Sequence, residues 1–368
     1  MPEQAKKPRF VTLDVLRGYF ILIIIVDHLN RFPSWFAWLG GQGRLWVSAG
    51  EGFIIISGLL VGYTRGFKKI SLSMNTVVRL LYKRALVLYI CSVVASAVLL
   101  ALTLHSQFPA SLQPSVVVPS GSFLTAINQI LTLRFVFEWV YFLKFYIASL
   151  LIAPYFIFLL RKKQTALAVV SSVLLWALGY FIKQDWLQWQ ILFFLPAVLG
   201  FHLETLQQYW QEQSHKTKKI FRTITVSSTV VVLLVSSFWV FGWELVKGPR
   251  AVMPFDTYVS LRQTIDPFFY KIQLSPGRIV LSFVCFAGLY LIFNQLRPYT
   301  TKYVDWLLLS LGKSSLVVYI IHGFIILPIQ VFIPLTSSST FNTFLGIGTV
   351  IIVFVLSQSK SVKKIVPS

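Results

Sequence analysis

Charge is scarce in this chain, and acidic charge is scarcest. Charged residues are 12% of the 368, with 12 Asp and Glu against 33 Lys and Arg. A soluble domain carries about 25% charged residues, so the composition, 56% hydrophobic, excludes an ordinary soluble protein and implies an integral membrane one. The two cysteines, Cys91 and Cys285, both sit in apolar runs and read as small core residues rather than a disulfide. Cysteine and carboxylate ligands at metal spacing are missing, so no metal is expected. Phosphate-binding loop, dinucleotide fingerprint and G-x-S-x-G elbow are also missing. The ten-residue alternation of a membrane barrel is absent, and the apolar runs have helix length instead. No internal repeat supports a repeat-built transporter. No small-residue cleavage site follows the first apolar run, which argues against a cleavable signal.

The net charge of +21 invites a nucleic-acid reading. Its placement argues against one, because the basic residues cluster in short segments between apolar spans. Lys6, Lys7 and Arg9 open the chain, and Arg65, Lys68, Lys69, Arg79, Lys83 and Arg84 follow the second span. Further clusters are Arg161 to Lys163, then Lys216, Lys218, Lys219 and Arg222, then Arg297 and Lys302, then Lys360, Lys363 and Lys364. Placing these on the cytoplasmic side predicts an all-α, multi-pass protein with ten spans and both termini cytoplasmic. The expected organisation is one membrane domain over 1–368, with tails at 1–9 and 357–368 around a bundle at 10–356. The spans fall at about 10–30, 47–63, 85–104, 139–160, 165–182, 191–202, 224–243, 278–296, 314–332 and 341–356. Pro196 is expected to break the sixth, and 123–137 to form a re-entrant or interfacial helix. The mixed-charge stretch Glu244 to Gly277 reads as an external lid or gate.

The first span, Phe10 to Asn30, is apolar enough to cross a bilayer yet carries Asp14, Arg17, Asp27 and His28. Such residues inside a membrane cost roughly 2.5 to 3.5 kcal/mol each and face a protein interior. From Arg17 to His28 a helix turns through about 1100°, within about 20° of three full turns, and rises about 16 Å. Asp14 lies about 60° from Arg17, so Asp14, Arg17 and His28 form one polar stripe. An Arg deep in the span and a His near its far end suit two substrates arriving from opposite faces. The plainer reading is an Asp14–Arg17 pair with an interfacial histidine.

His28 is the natural general base, since neutral imidazole takes a hydroxyl proton near neutral pH. Asp27 lies about 100° round the helix and is expected to meet another span. Arg17 suits an anionic donor. Glu51 orients His28 or binds a hydroxyl, or else compensates its helix N-terminus. Ser57 is a nucleophile only against the usual habit of a span serine, which bonds back to its own helix. His322 falls at a depth comparable to His28, so the two histidines line one site. Tyr146, Trp139 and Glu138 are weaker candidates for lining a sugar site.

LDVLRG followed by DH, with Arg17 and His28 ten residues apart, resembles the R-x10-H motif of the acyltransferase 3 family of membrane acyltransferases. EGFIIISGLLVGY resembles that family's second span. Together with FYIASLLIAPYFIFLLR and LGKSSLVVYIIH, the order is similar to the OpgC branch, associated with succinylation of osmoregulated periplasmic glucans. The resemblance covers about residues 10 to 330 and implies an EC 2.3.1-type acyltransferase. It would move an acyl group, succinyl or acetyl, from cytoplasmic acyl-CoA to a hydroxyl of an extracytoplasmic glycan. By motif match His28 and Arg17 are the essential pair, and Glu51 and Ser57 line the site. Asp14, Asp27, Tyr146 and His322 complete the substrate-binding expectation. Acyl-CoA is then a substrate with no permanently bound cofactor. The partners are a glycan, the bilayer of the inner membrane and no nucleic acid; the oligomeric state stays open. The rival is a transporter or flippase for a glycan or lipid-linked intermediate, and a sensor without turnover stands third.

Overall fold

A computed structural model describes residues 10–105, 121–247, 251–300 and 305–359. The basic tail 1–9, most of the loop expected after the third span, Arg250, Lys302 and the tail lysines Lys360, Lys363 and Lys364 lie outside the described residues. Among those described there is no strand. The helices are α1 (Val11–Leu29), α2 (Ala37–Gly40), α3 (Ala49–Val61), α4 (Met74–His105), α5 (Phe123–Leu131), α6 (Phe142–Arg161), α7 (Thr165–Phe181) and α8 (Asp185–Trp189). They continue as α9 (Ile191–Phe201), α10 (Leu203–Glu212), α11 (His215–Val246), α12 (Phe255–Ile265), α13 (Pro276–Thr300), α14 (Asp305–Lys313), α15 (Ser315–Phe332) and α16 (Ser339–Gln358).

Among the described residues six segments are long and apolar enough to cross a membrane: α4, 138–161, α11, α13, α15 and α16; a bent pair from α8 to α10 would make seven. Their outward faces are apolar. Leu86, Ile90 and Val94 on α4 and Phe344, Ile351 and Val355 on α16 are all exposed, as lipid contact requires. The remaining expected crossings, α1, α3, α7 and α9, are shorter or carry charge; α1, α3 and α9 are largely buried among the other helices, whereas α7 leaves Val170, Leu174 and Leu178 exposed.

Three sequence expectations change. Pro196 does not break its span: α9 runs through it to Phe201, and the break comes at His202, where the axis bends by 63°. One missing backbone N–H is tolerated where neighbouring helices supply the packing. The basic residues Lys216 to Arg222 and Arg79 to Arg84 stand on the opening turns of α11 and α4 rather than in loops, so those helices extend past their apolar stretches. A further helix, α14, had no apolar run long enough to announce it.

α1 is central. Leu16, Ile21 and Ile25 are fully buried. It crosses α14 backbone to backbone: a Cβ at Gly18 would stand 1.8 Å from the Leu308 carbonyl oxygen, and one at Gly312 would stand 1.8 Å from that of Asp14. α3 crosses α9 in the same way through Gly58, Gly62 and Gly200. Without water to drive association, small residues that let backbones touch are the usual glue between membrane helices. α5 is nine residues long, capped by Ser122, with Phe123 and Leu124 exposed and Ile130 buried; it is too short to span.

Candidate active site

The stripe on α1 divides between two places. At one end Arg17 Nη1 lies 3.8 Å from Asp14 Oδ1. Arg17 also borders a cavity of about 80 Å³ with Ser57, Arg84, Tyr146 and Tyr319. Ser57 Oγ donates to the Phe53 carbonyl at 2.9 Å, the back-bond expected of a span serine.

At the other end His28 meets His322. Nδ1 of His28 lies 2.8 Å from Nε2 of His322, and the rings stack at 5.0 Å and 27°. His322 is fully buried, while His28 is partly open. The elements behind them force the meeting. The Gln330 side-chain amide reaches the carbonyls of His28 and Leu29, and Arg31 donates to those of Ile329, Ile333 and Pro334 at 2.6 to 3.0 Å. Arg31 thus caps the end of α15 with a buried cation and ties it to the end of α1. Tyr319 stands between the two places. Its ring is 5.3 Å from His322 and 6.5 Å from His28, and it also lines the Arg17 cavity. Its hydroxyl accepts the Phe142 backbone N–H at 3.2 Å.

Glu51 is placed elsewhere. It is fully buried, closes a capping box with Ser48 at the start of α3, and takes Arg278 Nε at 2.5 Å. No hydrogen bond joins it to His28 among the described residues; His322 holds that position. Asp27 lies under the segment that follows α1. Its carboxylate seats against the turn that follows α2, where a Cβ at Gly43 would lie 3.3 Å from Oδ2. That turn folds back over α1, which a reading of spans alone could not show. Trp139 is buried against Gly323, Glu138 is exposed, and Tyr146 belongs to the Arg17 cavity rather than to them.

A family model described as OpgC protein matches residues 9–364. The chain belongs to the OpgC family. No curated protein and no solved structure matches it. OpgC membership points to a glucan-modifying membrane acyltransferase.

Within this OpgC chain, sequence reasoning missed Tyr319 and Arg278 as site residues. Tyr319 stands one helical turn before His322, so i, i+3 spacing on α15 was its signal. Lys271 lies in the mixed-charge stretch Glu244 to Gly277 that the sequence marks as a lid or gate, without a role of its own. It remains open to solvent, yet it is deep enough for its charge to act on Asp27, His28 and Glu51. The protein packed around Lys271 lowers its pKa from the ordinary lysine value, with Arg278 adding and Glu51, Asp27 and Glu138 opposing. No three His, Cys, Asp or Glu side chains among the described residues converge as metal ligands would.

Proposed function

We propose that the protein is a membrane O-acyltransferase that moves an acyl group from acyl-CoA, entering at the Arg17 end, to a glycan hydroxyl entering at the His28 end. The observation that carries this reading is the 2.8 Å pair of His28 and His322, with Tyr319 between it and the Arg17 cavity. If His28 Nδ1–H donates to His322 Nε2, Nε2 of His28 is left bare to act as base. His322 then carries its proton on Nδ1. That atom makes no hydrogen bond of good geometry, but the carbonyls of Val318 and Tyr319 lie within reach.

In the reaction, His28 Nε2 takes the proton of the acceptor hydroxyl as its oxygen attacks the thioester carbonyl. The C–S bond then breaks and the thiolate recovers the proton from His28, so an ester and CoA thiol are formed. Tyr319 has an O–H free to donate to the developing oxyanion, since its oxygen is used only as an acceptor. Arg17 and Arg84 hold the anionic donor at the cavity's other end. Charge placement puts the Arg17 end in the cytoplasm and gives the ten-crossing, termini-inside plan of an inner-membrane protein.

The test is release of CoA thiol from succinyl-CoA or acetyl-CoA by purified protein supplied with glucan. Wild type releases thiol and His28→Ala does not. Equal release by a folded His28→Ala variant would remove His28 from the chemistry.

A further inference from the structure

A second cavity plays no part in the donor half of this scheme. It holds about 220 Å³, against about 80 Å³ beside Arg17. One wall is aromatic. Trp46 and Phe269 stack with centroids 4.2 Å apart and planes 18° apart, and Trp239 borders Trp46 at 5.7 Å. These rings are held in place. The Trp239 indole N–H donates to Asp266 at 2.7 Å, and the Trp46 backbone N–H to Ser236 at 2.8 Å. Arg278 Nη1 donates to the carbonyls of Leu45 and Phe269, both at 3.2 Å.

The same cavity is lined by four cations and one carboxylate: Arg44, Arg262, Lys271 and Arg278 against Asp266. Two cations are already matched, Arg262 by Asp266 at 2.9 Å and Arg278 by Glu51 at 2.5 Å. Arg44 and Lys271 are exposed and form no ion pair among the described residues. The cavity also approaches the outer end of α1. Gly43 in its wall packs on the carboxylate of Asp27, the neighbour of His28.

A fixed aromatic face next to unmatched cations suits a ligand with an apolar ring face and a negative charge. We propose that this cavity binds an acidic saccharide. One sugar ring packs on Trp46 and Phe269, and a carboxylate or phosphate substituent is held by Arg44 and Lys271. The proposal rests on the acyl-transfer reading and goes beyond it, because it requires the glycan segment beside the reacting hydroxyl to be charged already.

The experiment is calorimetric titration of the full chain in detergent with three probes: a neutral glucose hexamer, the same hexamer carrying one succinyl group, and the same hexamer carrying one phosphate. The expected result is binding of at least one acidic hexamer about tenfold tighter than the neutral one at low salt. That preference disappears in Arg44→Gln/Lys271→Gln and shrinks as salt is raised. The succinyl and phosphate arms show which anion is preferred. Equal binding of all three probes overturns the proposal, and so does a preference that survives the double substitution. It is also overturned if the double variant loses only the ability to distinguish succinyl-CoA from acetyl-CoA, for then the cations serve the donor. Thiol release by wild type and His28→Ala in the same preparation separates the two readings. Release without acidic preference sinks the saccharide site alone, and acidic preference without release sinks acyl transfer alone.

Discussion

Glu51 stands where a catalytic carboxylate is expected and is bonded as a structural one, and its removal separates the two roles. Its side chain is fully buried, and that of Arg278 is 3% exposed. Glu51→Ala leaves the Arg278 guanidinium buried without a counter-charge. Its Nη2 already has no partner, and Nη1 keeps only two carbonyls. Breaking one side of such a pair costs about 3 to 5 kcal/mol. Loss of the capping box at the start of α3 adds about 1 kcal/mol. The thermal midpoint in detergent should fall by on the order of 5 to 10 °C. Glu51→Leu/Arg278→Met removes both charges together and should recover most of the loss, since replacing a buried pair by apolar residues is often neutral or better. Turnover per folded molecule should stay within about threefold of wild type, because no bond joins Glu51 to the histidine pair. The assays are a melting curve and thiol release on the same samples. A Glu51→Ala protein that melts like wild type but transfers no acyl group would refute the argument and return Glu51 to the chemistry.

His322→Ala should lower turnover by about 100-fold or more with little change in KM for acyl-CoA, and His322→Gln, which keeps an acceptor for His28, should recover part of it; unchanged turnover in the alanine variant makes His322 a bystander. Gly58→Ala should destabilise by about 1 to 3 kcal/mol, because its Cβ would sit 2.0 Å from the Phe193 carbonyl oxygen, while Gly348→Ala, with nothing within 4 Å, should stabilise by about 0.5 to 1 kcal/mol. Equal melting shifts for the two glycine variants would mean that α3 and α9 do not touch. Lys271 has a lowered folded pKa, so between that value and the ordinary lysine value the unfolded chain binds more protons and stability rises with pH. Lys271→Met should flatten the rise in melting temperature between neutral and alkaline pH and raise the midpoint at neutral pH; a fall in the neutral midpoint would show that the charge stabilises the fold.

The candidate site was legible where one helix determines it. Arg17 and His28 share a face because eleven residues close three turns, and that needs no tertiary knowledge. The partnership of His28 with His322 was half legible. Matching depth could be counted, but the 2.8 Å contact depends on Arg31 and Gln330 tying α1 to α15, and neither residue has a sequence pattern. Residues whose roles depend on loops were not legible. Asp27 packs on the Gly40–Gly43 turn because the stretch after α1 folds back over it. Glu51 had two readings on α3, and the structure gives it a partner from α13, 227 positions away. Helix α14 shows the same limit from the fold side. Its nine residues are too short for an apolar run, yet they cross α1 at the glycines that let the backbones touch.

These close crossings bear on why the polar stripe is tolerated. Gly18 rests on the Leu308 carbonyl and Gly312 of α14 on the Asp14 carbonyl, so one side of the Asp14–Arg17 end of the stripe is walled by backbone, while Arg17 also borders the cavity lined by Ser57, Arg84, Tyr146 and Tyr319. At the His28 end the α15 terminus is tied to α1 by Arg31 and Gln330, and the Gly40–Gly43 turn packs on the carboxylate of Asp27. A charge inside a membrane is costly unless the protein around it is preorganised. Here packed backbone flanks both ends of one helix, while Tyr319 lines the Arg17 cavity and stands beside the histidine pair. Such an arrangement favours fixed chemistry between two bound substrates over passage of one substrate through the bundle, since passage would require the Gly18–Leu308 crossing or the Arg31 cap to open.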